Sequence, residues 1–295
     1  MPSTTKATLA GLLGYSIFGF SFLFSKTALD LTTPFTLLSV RFLTAFLVLN
    51  LLLLTGRMSV RLKGKPVGLL LLMGLVQPVL YFICESYGIA LTTSFFAGVM
   101  IGLVPVVGLL FGAIFLKEKC TAFQMVCAGL SVLGVLLTTT GGFGTFSMQG
   151  FLLLLGAVVS ACLFTVLSRS IADRFSPFER TYVMFAMGCT AFTAIALIQN
   201  KWDTAAWGTP LTTPSFWVSV VYLAVVSSVC AFLLINYAVN HLSAGRTLIL
   251  SNFTTVISVL AGILIMGDSF TATQLAGITI IIFSVFGVSF RKKPS

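Results

Sequence analysis

Apolar residues run along this chain in blocks of about twenty, and most charged residues fall in the short gaps between them. Runs such as "VGLLLLMGLV" and "TIIIFSVFGV" show no two-residue alternation, whereas the strands of a membrane barrel alternate in segments of about ten. In lipid every backbone N–H and C=O must be satisfied within the protein, which leaves helices as the spanning element. A span needs about 20 residues, and ten fit: 7–29, 34–54, 67–90, 94–115, 121–139, 150–170, 177–199, 215–236, 243–265 and 271–290. The expectation is an all-α integral membrane protein of ten transmembrane helices, with antiparallel neighbours wherever the gap is short.

Composition supports a lipid solvent. The hydrophobic fraction is 58% and the charged fraction 8%, against about 25% charged in soluble domains. The first apolar block is too long for a signal-peptide core and runs on into further spans, so no cleaved leader is expected. Six cysteines are present without a CxxC pair, and the single histidine, His241, has no cluster around it. Neither disulfides, a metal nor any other cofactor is expected.

The basic residues orient the chain, because Lys and Arg gather in cytoplasmic loops. With the N-terminus inside, 14 of the 17 basic residues fall on inner loops and tails, among them Arg61, Lys65, Arg169, Arg174 and Arg180. Only Lys26 and Lys201 fall outside, and Arg41 lies within a span. The net charge of +10 therefore reflects topology, and no nucleic-acid partner is expected. Both termini are placed in the cytoplasm of a plasma (inner) membrane protein. The closing "KKPS" matches a dilysine retrieval pattern, but two lysines after a last span read first as membrane anchoring.

The chain also repeats itself. A shift of 150 residues aligns Tyr87–Gln124 with Tyr237–Gln274 without a gap, matching Tyr87 with Tyr237, Gly112 with Gly262 and Glu118 with Asp268. A shift of 143 pairs Ser25 with Ser168, Lys26 with Arg169 and Asp30 with Asp173. Two halves follow, 1–145 and 146–295, each of five helices. An odd number of spans inserts the second half upside down, and inverted repeats recur in secondary transporters with the solute held at their seam.

Three stretches carry a family resemblance: "SKTALDLTTPFTLLSVRFLTAFLVL", "YGIALTTSFFAGVMIGLVPVVGLLFGAIFLKEK" and "YAVNHLSAGRTLILSNFTTVISVLAGILIMGD". With Pro105 and Glu118 in the second of them, they resemble the drug/metabolite transporter superfamily in its ten-helix EamA-like branch. The resemblance implies a scaffold for secondary transport and, most readily, export of an amino acid or related metabolite. The chain departs from the pattern at Thr255, where the second repeat commonly has proline, and at Met184, opposite Arg41. Glu85 is not part of the family signature, so the resemblance assigns it no role.

Charges within spans are costly and point to function or pairing. Two lie well inside, Arg41 and Glu85, each roughly 8–10 Å below the outer end of its helix. Glu85 could pair with Arg41, snorkel outward, or face a cavity as a binding or proton-coupling carboxylate. Gln77, Tyr81 and Glu85 recur at i, i+4 and i+8, which places them on one helical face and favours a cavity. Pro78 within the same span opens a kink and frees a carbonyl. Tyr15 and Ser16 with Gly19 on the first span, Ser227, Ser228, Asn236 and Asn240 on the eighth, and Ser251 and Asn252 on the ninth are candidates to complete the wall. Gly98/Gly102 and Gly108/Gly112 are small-xxx-small pairs suited to close helix packing. The 28 phenylalanines are expected mainly to face lipid.

No enzyme is expected, since no reactive constellation lies at membrane depth. No GxxxxGK[ST] loop supports an ATP-driven pump. A channel or a non-transporting scaffold or receptor remains as the alternative to a transporter. The expected partners are a small-molecule solute and the bilayer, with protons as a candidate coupling ion, in a monomer or weak homodimer.

Overall fold

The structure is a computed structural model and describes residues 2–56, 58–115, 121–140, 147–202, 208, 210–242, 247, 250–266 and 271–289. The expected match of Glu118 with Asp268, and the closing "KKPS", lie outside the described residues. Among those described, all regular structure is helical.

Six long apolar helices are α1 (Pro2–Leu29), α2 (Pro34–Leu54), α3 (Val67–Ala90), α7 (Met148–Ser170), α8 (Pro177–Gln199) and α9 (Pro214–His241). Shorter ones are α4 (Ser94–Ile101), α5 (Val104–Phe115), α6 (Ala122–Thr140), α10 (Asn252–Ala261, continuing irregularly through Gly262–Met266) and α11 (Ala272–Ser289). Local chemistry sets several of these ends. Thr33 caps α2 through its hydroxyl, Pro34 occupies the first turn, and Gly56 leaves the helix at φ +72°. Ser176 and Glu179 form a reciprocal capping box at the start of α8.

Two spans are broken, each at a proline. The expected span 94–115 divides into α4 and α5 at Gly102–Leu103, just ahead of Pro105, which has no N–H to offer the carbonyl of residue 101. In α3 the turn Leu75–Leu80 widens around Pro78, and Gln77 leaves helical geometry altogether at φ −144°, ψ 115°. α9 carries a comparable irregular stretch at Tyr222–Cys230.

α1 lies centrally, packed on α9 and α10, while α2 packs on α8, α3 on α7, and α6 on α11. Glycines permit the close approaches. Gly98 on α4 faces Ser258 of α10, and a Cβ built on it would lie 2.0 Å from the serine Oγ. The neighbouring Thr255 hydroxyl donates to the Gly98 carbonyl at 3.2 Å. Gly98→Leu is therefore expected to cost about 1–3 kcal/mol through overpacking. Gly68→Leu, with nothing within 4 Å of its Cβ, is expected to leave stability unchanged. Thermal unfolding in detergent checks both.

The phenylalanines depart from expectation. Phe22, Phe42, Phe82, Phe185, Phe192 and Phe232 are fully buried. Phe42 stacks on Phe185 at 5.0 Å and meets Phe82 edge-on at 5.2 Å, and Phe232 meets Phe18 at 5.2 Å. Lipid tails are as apolar as a protein interior, so hydrophobicity does not sort residues between the two. Ring shape and edge-to-face attraction do, and leucines such as Leu51 and Leu264 cover much of the outer surface instead.

Candidate functional site

Two adjoining pockets lie within the bundle. The larger, with a cavity volume of about 30 Å³, is lined by Tyr15 and Phe18 of α1, Gln77 and Tyr81 of α3, Ile101 and Val104 of α4 and α5, Ala161, Phe164 and Thr165 of α7, Ile235 of α9, and Ser251 and Thr254 near α10. The smaller is a tight cleft lined by Phe18, Ser21, Phe22, Arg41, Tyr81, Phe82 and Glu85. Phe18 and Tyr81 belong to both and form the partition between them.

The stripe on α3 thus reaches the cavity. Gln77, Tyr81 and Glu85 are each buried and each line a pocket. Tyr81 donates its hydroxyl to Glu85 Oε1 at 3.2 Å. Glu85 Oε2 and Gln77 Oε1 are buried without a hydrogen-bond partner. Such orphan acceptors cost about 1–3 kcal/mol each, and natural cores rarely keep them without a purpose.

Arg41 shares the smaller pocket with Glu85, yet no ion pair joins them. Its guanidinium donates from Nε to Ser228 Oγ at 3.0 Å and from Nη2 to Ser227 Oγ at 3.4 Å. It also lies over the Phe82 ring, 4.3 Å from the centroid. Two neutral hydroxyls and an aromatic face hold the cation that the sequence offered to Glu85.

Other expected wall residues sit elsewhere. Tyr15 lines the larger pocket, but Ser16, about 100° further round the helix, is only half-buried and lines neither. Gly19 packs against Thr254 and Ile257 of α10. Ser228 serves the pocket only through Arg41. Asn252 is described by its backbone alone, at the start of α10.

Asn236 belongs to a different cluster, centred on Arg180. Counted above among the inner-loop cations, Arg180 is instead fully buried in the first turn of α8. It donates to the Ser168 carbonyl at 2.8 Å, the Ser168 hydroxyl at 2.6 Å, the Asn236 carbonyl at 2.8 Å and the Asn240 side chain. Asn236 is held in turn by Ser168 at 3.0 Å and by Thr181 at 3.0 Å. Arg169 caps the same end of α9 through the Val239 and Asn240 carbonyls. The partial negative charge of helix C-termini offsets these cations where no carboxylate does. Beside them, Lys65 Nζ reaches Glu179 Oε1 at 2.7 Å, and the same oxygen accepts the Arg61 amide at 2.9 Å. The sequence signal for this cluster was present in Ser168, Asn236 and Asn240, polar residues at the same end of their helices as Arg180.

The geometry meets its relatives at this point. The EamA-like transporter family matches residues 5–140 and again 148–290. This chain belongs to the EamA-like transporter family. An uncharacterized transporter of Bacillus subtilis, YcxC, is 31% identical over 98% of this chain and 95% of its own length. The uncharacterized inner membrane transporter YedA of Escherichia coli K12 is 24% identical over 94% and 89%. A solved crystal structure shares the fold with a TM-score of 0.72 at 18% identity, covering 97% of this chain and 96% of that one. The EamA-like chain is accordingly a multi-pass membrane protein from a family of transporters, not of enzymes. Among its departures from the family pattern, Thr255 in place of proline supplies the hydroxyl that ties α10 to α4, and Met184 is buried beside Gly74 of α3.

Proposed function

We propose that the chain is a secondary active transporter that moves a small organic metabolite through the paired pockets by alternating access. The reading takes ten spans in two inverted halves, 1–145 and 146–295, with both termini cytoplasmic in the plasma (inner) membrane. The supporting observation is the lining of the larger pocket. The shift of 150 pairs Ile101 with Ser251 and Val104 with Thr254, the shift of 143 pairs Phe18 with Ala161, and all six residues line it. A cavity built from matched positions of two halves suits a solute handed from one face to the other as the halves exchange conformations. The ends of the helices agree with the expected orientation, since Arg61, Lys65, Arg169 and Arg180 gather at one end of the bundle.

The solute is an amino acid or related compound and net flux is export, on the family's precedent. Protons are the coupling ion, with Glu85 as the carboxylate that carries them. Reconstituted vesicles loaded with an unlabelled amino-acid mixture test the carrier reading. Labelled amino acids are expected to enter by saturable counterflow, stimulated by the internal load. Linear flux indifferent to the load would instead indicate a channel. Cysteine labelling is expected to place positions within 57–65 and 291–295 on one face, and opposite faces would reject the topology.

A further inference from the structure

The smaller pocket holds one positive and one negative side chain that are not spent on each other. Arg41 has five N–H groups, and its hydrogen bonds use Nε and one Nη2 proton, both on neutral serine hydroxyls. Glu85 uses one oxygen on Tyr81 and leaves Oε2 bare, at 3% exposure. A buried, separated pair of opposite charges disfavours a solute of either net charge, because each such solute would leave one of them unmet. A zwitterion meets both.

A third polar group fixes a second point. Gln77 Oε1 is bare and buried on the other side of the Tyr81–Phe18 partition, in the wider pocket. Gln77 and Glu85 stand eight residues apart on α3, with the widened turn around Pro78 between them. The wall around Gln77 is largely apolar and aromatic, with Phe18, Ile101, Val104, Phe164 and Ile235. A site of this kind tolerates many tails by shape but discriminates at the one group it must hydrogen-bond.

We propose that Arg41 and Glu85 receive the carboxylate and ammonium of one zwitterionic solute, and that Gln77 receives a hydrogen-bond donor at the far end of the same solute. This assignment rests on the transport reading and adds to it the two ends of the binding site. It makes Gln77 a specificity-determining residue: solutes ending in a hydroxyl or amide are accepted, and hydrocarbon tails of the same size are not.

Calorimetric binding to the full-length protein in lipid nanodiscs, with two matched probe sets, provides the test. L-Tyrosine is compared with L-phenylalanine at the tail, and with tyramine and 3-(4-hydroxyphenyl)propionate at the head. L-Glutamine is compared with L-norleucine in parallel. The complete donor-bearing zwitterions are expected to bind about tenfold or more tightly than each analogue lacking a group. Gln77→Leu is expected to remove the tyrosine–phenylalanine difference while keeping the preference for zwitterions. Glu85→Gln is expected to remove the difference between tyrosine and its deaminated acid. Equal affinity of the wild type for tyrosine, tyramine and the acid would overturn the head assignment without any variant being needed, and so would failure of both zwitterions to bind. A tail preference that survives Gln77→Leu would overturn the role of Gln77. Saturable counterflow accompanying any of these negative results would leave transport standing, so the two readings fail separately.

Discussion

Arg180→Ala is expected to lower the stability of the folded protein by about 3 kcal/mol or more, read as a clear fall in the thermal unfolding midpoint in detergent. The guanidinium bridges three helices, with bonds to Ser168 on α7 and to Asn236 and Asn240 on α9 from its own place on α8. Its removal strips the buried Asn236 carbonyl and the half-buried Asn240 side chain of the Arg180 donors that reach them from α8. Water does not replace them cheaply there. Arg180→Lys is expected to recover little, because one ammonium cannot reproduce a planar fork that reaches two helices at once. An unfolding midpoint of Arg180→Ala equal to that of wild type would show that the cluster carries no net stability.

Glu85→Gln is expected to abolish uptake driven by a pH gradient in reconstituted vesicles, while counterflow at saturating solute persists. A carboxylate can couple protons only if gaining one does not break an ion pair that the fold depends on. Glu85 meets that condition: its bond is to Tyr81 on its own helix, Oε2 is bare, and Arg41 across the pocket on α2 is held by Ser227 and Ser228 of α9 instead. Besides Glu85, the titratable groups facing Arg41 are Tyr81 of α3 and Tyr222 of α9, the latter stacked on Phe24 of α1 at 4.0 Å. Glutamine keeps the size and the acceptor for Tyr81 but cannot exchange a proton. Gradient-driven uptake by Glu85→Gln at the wild-type rate would remove Glu85 from coupling.

The six long apolar helices were legible because lipid demands continuous apolar helices, and two of them start at Pro34 and Pro177, where the structure adds caps from Thr33 and Ser176. The α3 stripe was legible through its spacing, although Gln77 reaches the cavity from non-helical backbone. Arg180 was not. Counting cations by loop registers position along the chain and not depth, and its burial depends on carbonyl groups at the ends of α7 and α9 that converge only in the fold. Asn236 was misplaced for the same reason, since a polar residue at the right height can turn to a neighbouring helix as readily as to a cavity. The Arg41–Glu85 pairing illustrates a further limit. Similar depth brought both to one pocket, but the serines that capture Arg41 lie some 186 residues away in sequence.

The loosened turns of α3 and α9 carry a mechanical consequence. Near Gln77 the hydrogen-bond ladder is interrupted partway along the span, so the segment Tyr81–Ala90 is joined to Val67–Gly74 by a kink and not by a continuous rod. The Tyr222–Cys230 stretch of α9 winds as a wider, π-type helix. Under the proposed alternating access, tilting Tyr81–Ala90 about this kink while Val67–Gly74 stays anchored would widen one end of the cavity with little disturbance at the other.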